Sequence, residues 1–310
     1  MMTSEELNEH IANGSINEVI RVAEAKQIKY LSRIADEITS KKRLRLVLVT
    51  GASAAGKTTT AKRICTQLMV NGCPAAMHLS TDDYFVGDAQ NPRDENGNLD
   101  YEHVDCVDIP RLASDINALL RGESVPRRRF DFVKHDPSYL DERISLPEGG
   151  MIVLEGIHAL NPRLTEGVSD RTKFRVFIEP IPDIDVFGGF MPTPADARFL
   201  RRMVRDNQFR QRNPADTVRM WPSVRAGEAK WIDPFRKRAD AAFNSYLVYE
   251  LAALKPYVGG LLERARLELG EDKMVMNRIR LLKTVRSISP ETIPGDSILR
   301  ETIGGSQLEY

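Results

Sequence analysis

The stretch Gly51-Ala-Ser-Ala-Ala-Gly56-Lys57-Thr58 constrains this chain more than any other, because it fits GxxxxGK[ST] and joins two runs of different periodicity. The preceding LRLVLVT is a short β-branched run that reads as a buried strand, and a helix is expected from about 56 to 70. A glycine-rich turn between strand and helix curls the backbone so that successive N–H groups converge, and the helix N-terminus adds partial positive charge. Such a turn grips phosphate. The expected nucleotide-binding residues are therefore Gly51, Ala52, Ser53, Ala54, Ala55, Gly56, Lys57, Thr58 and Thr59, with Lys57 on the β- and γ-phosphates and the Thr58 hydroxyl on Mg2+.

Further buried-strand candidates are Ala76 to Ser80, Met151 to Leu154 and Lys173 to Ile178, separated by helical stretches such as Ile109 to Arg121. Alternating strands and helices imply an α/β fold with a parallel sheet covered on both faces. Thr3 to Glu6 and Ser15 to Glu18 match the capping-box pattern, and Leu31, Ile34, Ala35 and Ile38 recur on one helical face, so residues 1–40 read as a helical lead-in. Residues 179–194, with four prolines and Gly188-Gly189, must be a connection. Thr193-Pro194-Ala195-Asp196 then starts a helix containing RFLRRMVRD, and residues 244–268 form a second long helical stretch.

Ligands of open α/β sheets bind at the carboxyl ends of the strands, so acids placed there are the next candidates. Asp82-Asp83 closes one strand and Glu155 another. Phosphoryl transfer needs a carboxylate near the acceptor hydroxyl and oxygen ligands for Mg2+, which these positions could supply. Arg198, Arg201 or Arg202, and Arg205 line one face of the helix after the connection, with Arg210 and Arg212 beyond, where a lid over the phosphates would sit. Arg127-Arg128-Arg129 reads instead as a solvated loop.

Lys plus Arg and Asp plus Glu balance at 44 each, which removes the overall positive field of most nucleic-acid binders, so nucleic acid is not the expected partner. Cys65, Cys73 and Cys106 form no CxxC pair, as in a reduced compartment. No stretch approaches the ~20 apolar residues of a membrane span, and MMTSEELNEH lacks a basic segment followed by an apolar one, so a cytoplasmic protein acting on a small molecule is expected. The oligomeric state, homo-oligomer included, is left open.

The run from GASAAGKTTTAKRI through STDDYF, DENGNLDYEHVD, LEGIHALNP, RRMVRD and MWPSVRAGE to SILRETIGGS resembles the uridine kinase and phosphoribulokinase group of P-loop kinases over most of the chain. Within it the chain looks like the uridine-kinase-like branch whose members often carry a domain related to threonyl-tRNA synthetase. The resemblance implies a P-loop NTPase fold: a nucleoside monophosphate kinase-like, five-stranded parallel sheet flanked by helices, with a helical lid. It implies ATP-dependent phosphorylation of a nucleoside 5′-hydroxyl. Asp82 resembles the family's general base, Glu155 its magnesium-linked acid, and Arg201, Arg205, Arg210 and Arg212 its lid arginines. FDFVKH places Phe130 and His135 beside the base, Tyr84 joins the substrate residues, and Asp100 and Glu102 of LDYEH compete for the sugar. Phe130 stands where uridine kinases have tyrosine, and Gln211 where glycine is common between the lid arginines. The expected organisation is an extension over 1–40, a kinase domain over 41–285 with its lid at about 190–235, and a tail over 286–310 packing on that domain. A different hydroxyl acceptor, such as a sugar phosphate or pantothenate, is the nearest rival, and a nucleotide-dependent switch or RNA-associated protein the second.

Overall fold

The computed structural model describes residues 1–95, 97–132, 134–186 and 191–309. The chain begins with a two-residue strand β1 (Met2–Thr3) and helices α1 (Ser4–Ala12) and α2 (Ile16–Ser40). Thr3 and Glu6 form the expected capping box, whereas the Ser15 side chain caps nothing and donates instead to Asn13 Oδ1 at 2.6 Å. Next come β2 (Leu46–Thr50), α3 (Lys57–Val70), β3 (Ala76–Ser80) and α4 (Ile109–Leu120). A hairpin, β4 (Ser124–Asp131) and β5 (Asp136–Ser145), leads to β6 (Met151–Glu155), β7 (Lys173–Glu179) and β8 (Ile184–Asp185). The rest is α5 (Pro194–Phe209), α6 (Pro214–Trp231), β9 (Ala241–Asn244), α7 (Glu250–Leu269), α8 (Lys273–Lys283) and α9 (Arg300–Ile303).

Five strands form one parallel sheet in the order β3-β6-β2-β7-β9. Strands β2 and β6 are buried at every position, which is why they read as unbroken apolar runs rather than alternating ones. The period of two divides their side chains between two cores. Val47, Val49 and Val153 pack on one face with Ile34 and Ile38 of α2 and Ile64 and Leu68 of α3. Leu46, Leu48, Ile152 and Leu154 pack on the other with Leu112, Ile116 and Leu119 of α4. Helices α5 to α8 and the residues around Ile298 share a third core with α1 and the start of α2.

Three expectations change here. The stretch expected to be helical from 244 contributes Asn244 to the fifth strand, and the helix starts only at Glu250, because Ser245 and its neighbours turn under the phosphate loop. Arg127-Arg128-Arg129 is not a solvated loop but part of β4. Arg128 is buried there, donating to Asp108 at 2.8 Å and to the Phe85 carbonyl at 2.9 Å. In the connection before α5, Ile184–Asp185 pairs in parallel with Met2–Thr3, while Gly188-Gly189 lies outside the described residues. The capping box at Thr193 and Asp196 forms as its sequence predicts. No helix among the described residues is long and apolar enough to cross a membrane.

Candidate active site

The central strand β2 ends in the phosphate loop, and the neighbouring β3 and β6 end beside it, so the parallel topology gathers the loop, Asp82 and Glu155 at one end of the sheet. Within the loop Ala54 and Gly56 both take left-handed backbone, at φ 60° and 86°. That conformation turns successive N–H groups to one side. Lys57, at the start of α3, leans its ammonium on the Ala52 carbonyl at 3.5 Å. Ser245 supports the loop from behind by donating to the Ala55 carbonyl at 2.6 Å.

Glu155 is buried, and one of its oxygens accepts from both the Thr58 hydroxyl, at 3.1 Å, and the Ser80 hydroxyl, at 2.8 Å. Burial, and then Asp82, push its carboxyl up to about 7. Two hydroxyls and a carboxylate are hard oxygen donors of the kind Mg2+ takes when nucleotide phosphates complete its shell. No cluster of three or more His, Cys, Asp or Glu among the described residues could hold a metal without them. Asp82 lies in the turn after β3, where the Ser80 hydroxyl accepts from its N–H at 3.2 Å. Its neighbour Asp83 is pushed up to about 6, first by burial and then by Asp82.

Two chambers, of about 590 and 460 Å3, open at this end of the sheet and share part of their lining. The first holds Ala54, Thr58, Lys62, Ser80 and Glu155; the second holds Ser53, Asp100, Tyr101, Glu102, His135 and Arg212. Lys57, Asp82, Phe130, Phe132, Arg205 and Arg210 line both. A separate cavity of about 570 Å3 between α2 and β9 contains none of these residues. In the second chamber Phe85, Phe130 and Phe132 pack edge to face, with ring centroids 5.2 to 6.2 Å apart, and the Arg210 guanidinium lies over Phe132 at 4.5 Å. His135 is 3.2 Å from the Tyr101 hydroxyl, which also donates to Asp88 at 3.0 Å.

Not every expected residue faces this cleft. Tyr84 is buried and donates its hydroxyl to Asp115 at 3.1 Å, away from both chambers. Arg201, expected on the nucleotide, is also turned away: it makes a two-pronged pair with Glu250, both bonds 2.6 Å, and donates to the Ser245 carbonyl at 2.9 Å. Its place is a brace behind the loop. The adjacent Arg202 faces the cleft instead, donating to Ser53 Oγ at 2.8 Å and lying 3.9 Å from Glu102.

Asp206, which is not among the residues expected from the sequence, is the fully buried acid on which the arginines of α5 converge. Arg205 approaches it at 2.8 Å, Arg202 at 3.3 Å and Arg210 at 3.9 Å. Burial would raise its carboxyl, but Arg205, Arg202 and Arg210 together hold it down at about 2. The signal was present, since Arg202 and Arg210 stand four residues to either side. Of the two acids left open for the sugar, Asp100 accepts from the Glu102 N–H at 3.1 Å, while Glu102 keeps one buried oxygen with no hydrogen-bond partner among the described residues. Gly227 of α6 makes room for Glu102, because a Cβ there would lie 2.4 Å from Glu102 Cβ. Gly227→Ala should therefore displace Glu102 and raise the acceptor KM by roughly ten-fold with little change in the KM for ATP; equal shifts in both would contradict this placement.

The chain matches the profile of the Phosphoribulokinase / Uridine kinase family over residues 46–252. It belongs to that family. It is an ATP-dependent phosphotransferase acting on a hydroxyl acceptor. Among the relatives of this phosphoribulokinase/uridine kinase member, a uridine kinase of Deinococcus deserti is 31% identical over 193 residues, covering 62% of this chain and 83% of its own. A uridine kinase of Halobacterium salinarum is 30% identical over 193 residues, covering 62% and 76%. A solved structure from Silicibacter sp. TM1040, assigned as a fructose transport system kinase, has a TM-score of 0.50 and 18% identity, covers 69% of this chain and 98% of its own, and is similar in fold.

Proposed function

We propose that this enzyme transfers the γ-phosphoryl group of ATP to the 5′-hydroxyl of a nucleoside, with the triphosphate in the chamber beside Thr58 and the acceptor in the chamber beside Glu102. The observation that carries this reading is that Lys57, Asp82, Arg205 and Arg210 line both chambers and so meet at their junction. Named relatives that are uridine kinases support the nucleoside class. So does the aromatic wall of Phe130 and Phe132 with His135 beside it, an apolar surface with one polar reader of the kind a flat base needs.

The side chains that line the two chambers support the following steps. Asp82 accepts the proton of the acceptor hydroxyl while that oxygen forms a bond to the γ-phosphorus, and the bond to the bridging oxygen breaks to leave ADP. Asp82 is preferred to Asp83 because it alone of the pair lines both chambers, and Asp83 is shifted towards its protonated form. Lys57, Arg205 and Arg210 supply positive charge where the transferring group spreads its negative charge. Glu102, braced by Arg202, receives the sugar hydroxyls, and Arg212 and His135 face the distal part of the acceptor. Magnesium, held by Thr58 and through Glu155, would neutralise charge on the phosphate oxygens.

A panel of nucleosides, sugar phosphates and pantothenate, assayed for ADP release, tests the acceptor class. ADP release should rise sharply with at least one pyrimidine or purine nucleoside. A rise with a sugar phosphate or pantothenate alone would replace the nucleoside with that acceptor.

A further inference from the structure

The segment after α8 returns to the phosphate loop, 242 positions away in sequence from the residue it meets there. The Glu301 carboxylate accepts from the Thr59 N–H at 3.2 Å and from the Thr59 hydroxyl at 2.7 Å, both through Oε2. Thr59 is the third residue of α3. Its N–H belongs to the first helical turn, which has no carbonyl partner inside the helix and is where a helix offers itself to anions. Beside this contact Ile298 rests on the loop itself, for a Cβ at the left-handed Gly56 would lie 2.4 Å from Ile298 Cδ1. Glu301 also lines the chamber that holds Thr58 and Glu155.

The backbone carrying Glu301 is fixed. Ser297, Ile298 and Leu299 are buried, Arg63 donates to the Asp296 carbonyl at 2.5 Å, and Arg300 donates to the carbonyls of Pro290, Ile293, Pro294 and Gly304. The segment cannot leave without exposing core. The Glu301 side chain, by contrast, is a three-bond arm on the rim of the chamber, with the cations of Arg205 and Lys62 within its electrostatic reach.

We infer that Glu301 is an intramolecular competitor of the nucleotide: its carboxylate occupies the first-turn anion position of the phosphate-binding helix and must swing away before the phosphate chain can take Thr59. Glu301 thus sets the affinity of the loop without taking part in transfer. This rests on the reading of Gly51 to Thr58 as the phosphate grip. The cost follows from population: if the carboxylate holds Thr59 about 90% of the time, the apparent affinity for a phosphate chain falls about ten-fold. A charged acceptor grips these two donors more firmly than a neutral amide of the same size would.

The test compares the full chain with its Glu301→Gln and Glu301→Asp variants, the second keeping the charge on an arm one methylene too short. Binding is measured with inorganic tripolyphosphate by calorimetry, and kinetics with MgATP. Both variants should bind tripolyphosphate at least about five-fold more tightly than the parent, with the KM for ATP falling in parallel and kcat changing less than about two-fold. Unchanged or weaker tripolyphosphate binding in Glu301→Gln overturns the inference, as does tightening in Glu301→Gln alone, which would point to a general charge effect rather than this contact. A fall in kcat at unchanged affinity also overturns it and would make Glu301 part of the transfer machinery. Because tripolyphosphate binding needs neither acceptor nor turnover, these outcomes are independent of whether the nucleoside reading holds. Loss of that reading would appear separately, as ATP binding without nucleoside-dependent transfer.

Discussion

Asp82→Asn should retain ATP affinity within a few-fold and lose about 10² to 10⁴ in kcat, the usual contribution of a positioned general base. The substitution conserves shape in the turn after β3, and the Ser80 hydroxyl that accepts from the residue 82 N–H does not sense the change. What disappears is the ability to take a proton, together with the charge that pushes up Glu155 and Asp83. Two controls sharpen the result. Asp83→Asn, next door but lining only the chamber beside Thr58, should cost far less. Equilibrium titration with a non-hydrolysable ATP analogue should give similar dissociation constants for Asp82→Asn and the parent. Near-parental turnover in Asp82→Asn, or a larger loss in Asp83→Asn, would transfer the base role away from Asp82.

Asp206→Asn should lower the stability of the fold strongly. It removes the anion at the centre of Arg202, Arg205 and Arg210 in a fully buried position, and breaking a buried ion pair from one side costs about 3 to 5 kcal/mol because the remaining charges are left uncompensated. Activity should fall as well, since Arg205 and Arg210 lose the group that aims them into the cleft. The pH dependence has a definite sign. The ordinary carboxyl value of 3.8 drops to about 2 in the folded chain, so ionised Asp206 stabilises the fold above about pH 4, and this contribution is lost as pH falls toward 2. Denaturant unfolding should therefore show a gap between parent and variant that is flat from about pH 5 to 8 and closes on acidification. A gap that widens below pH 4 would contradict the assignment.

What could be read in the sequence was what depends on local order. The phosphate loop announces itself because strand, turn and helix are contiguous, and the capping box at Thr193 and Asp196 needs only four residues to form. Acids at the ends of β3 and β6 were legible because parallel topology makes strand ends the floor of the cleft. Arg201 and Arg202 could not be separated in this way. Adjacent helical residues point about 100° apart, and which of them faces the cleft depends on where Glu250, a distant residue on α7, draws the other. The strand character of Arg127-Arg128-Arg129 was hidden by a bulge between Pro126 and Arg128, which breaks the period of two linking buried Val125 to buried Arg128 and Phe130. Strand β9 has only four residues and one buried side chain, too little pattern to distinguish it from the start of a helix. Glu301 was beyond reach for a simpler reason: nothing local connects a C-terminal glutamate to the first turn of α3.

On the proposed reading, a triphosphate beside Lys57 and a nucleoside hydroxyl beside Asp82 react with each other rather than with water. A single-turnover experiment with ATP labelled in its γ-phosphoryl group, excess enzyme, Mg2+ and the nucleoside that most accelerates ADP release measures this directly. The label should appear in an acid-stable nucleoside 5′-monophosphate, with inorganic phosphate only in trace. Label recovered entirely as inorganic phosphate, whatever nucleoside is supplied, would show that water rather than a nucleoside takes the phosphoryl group.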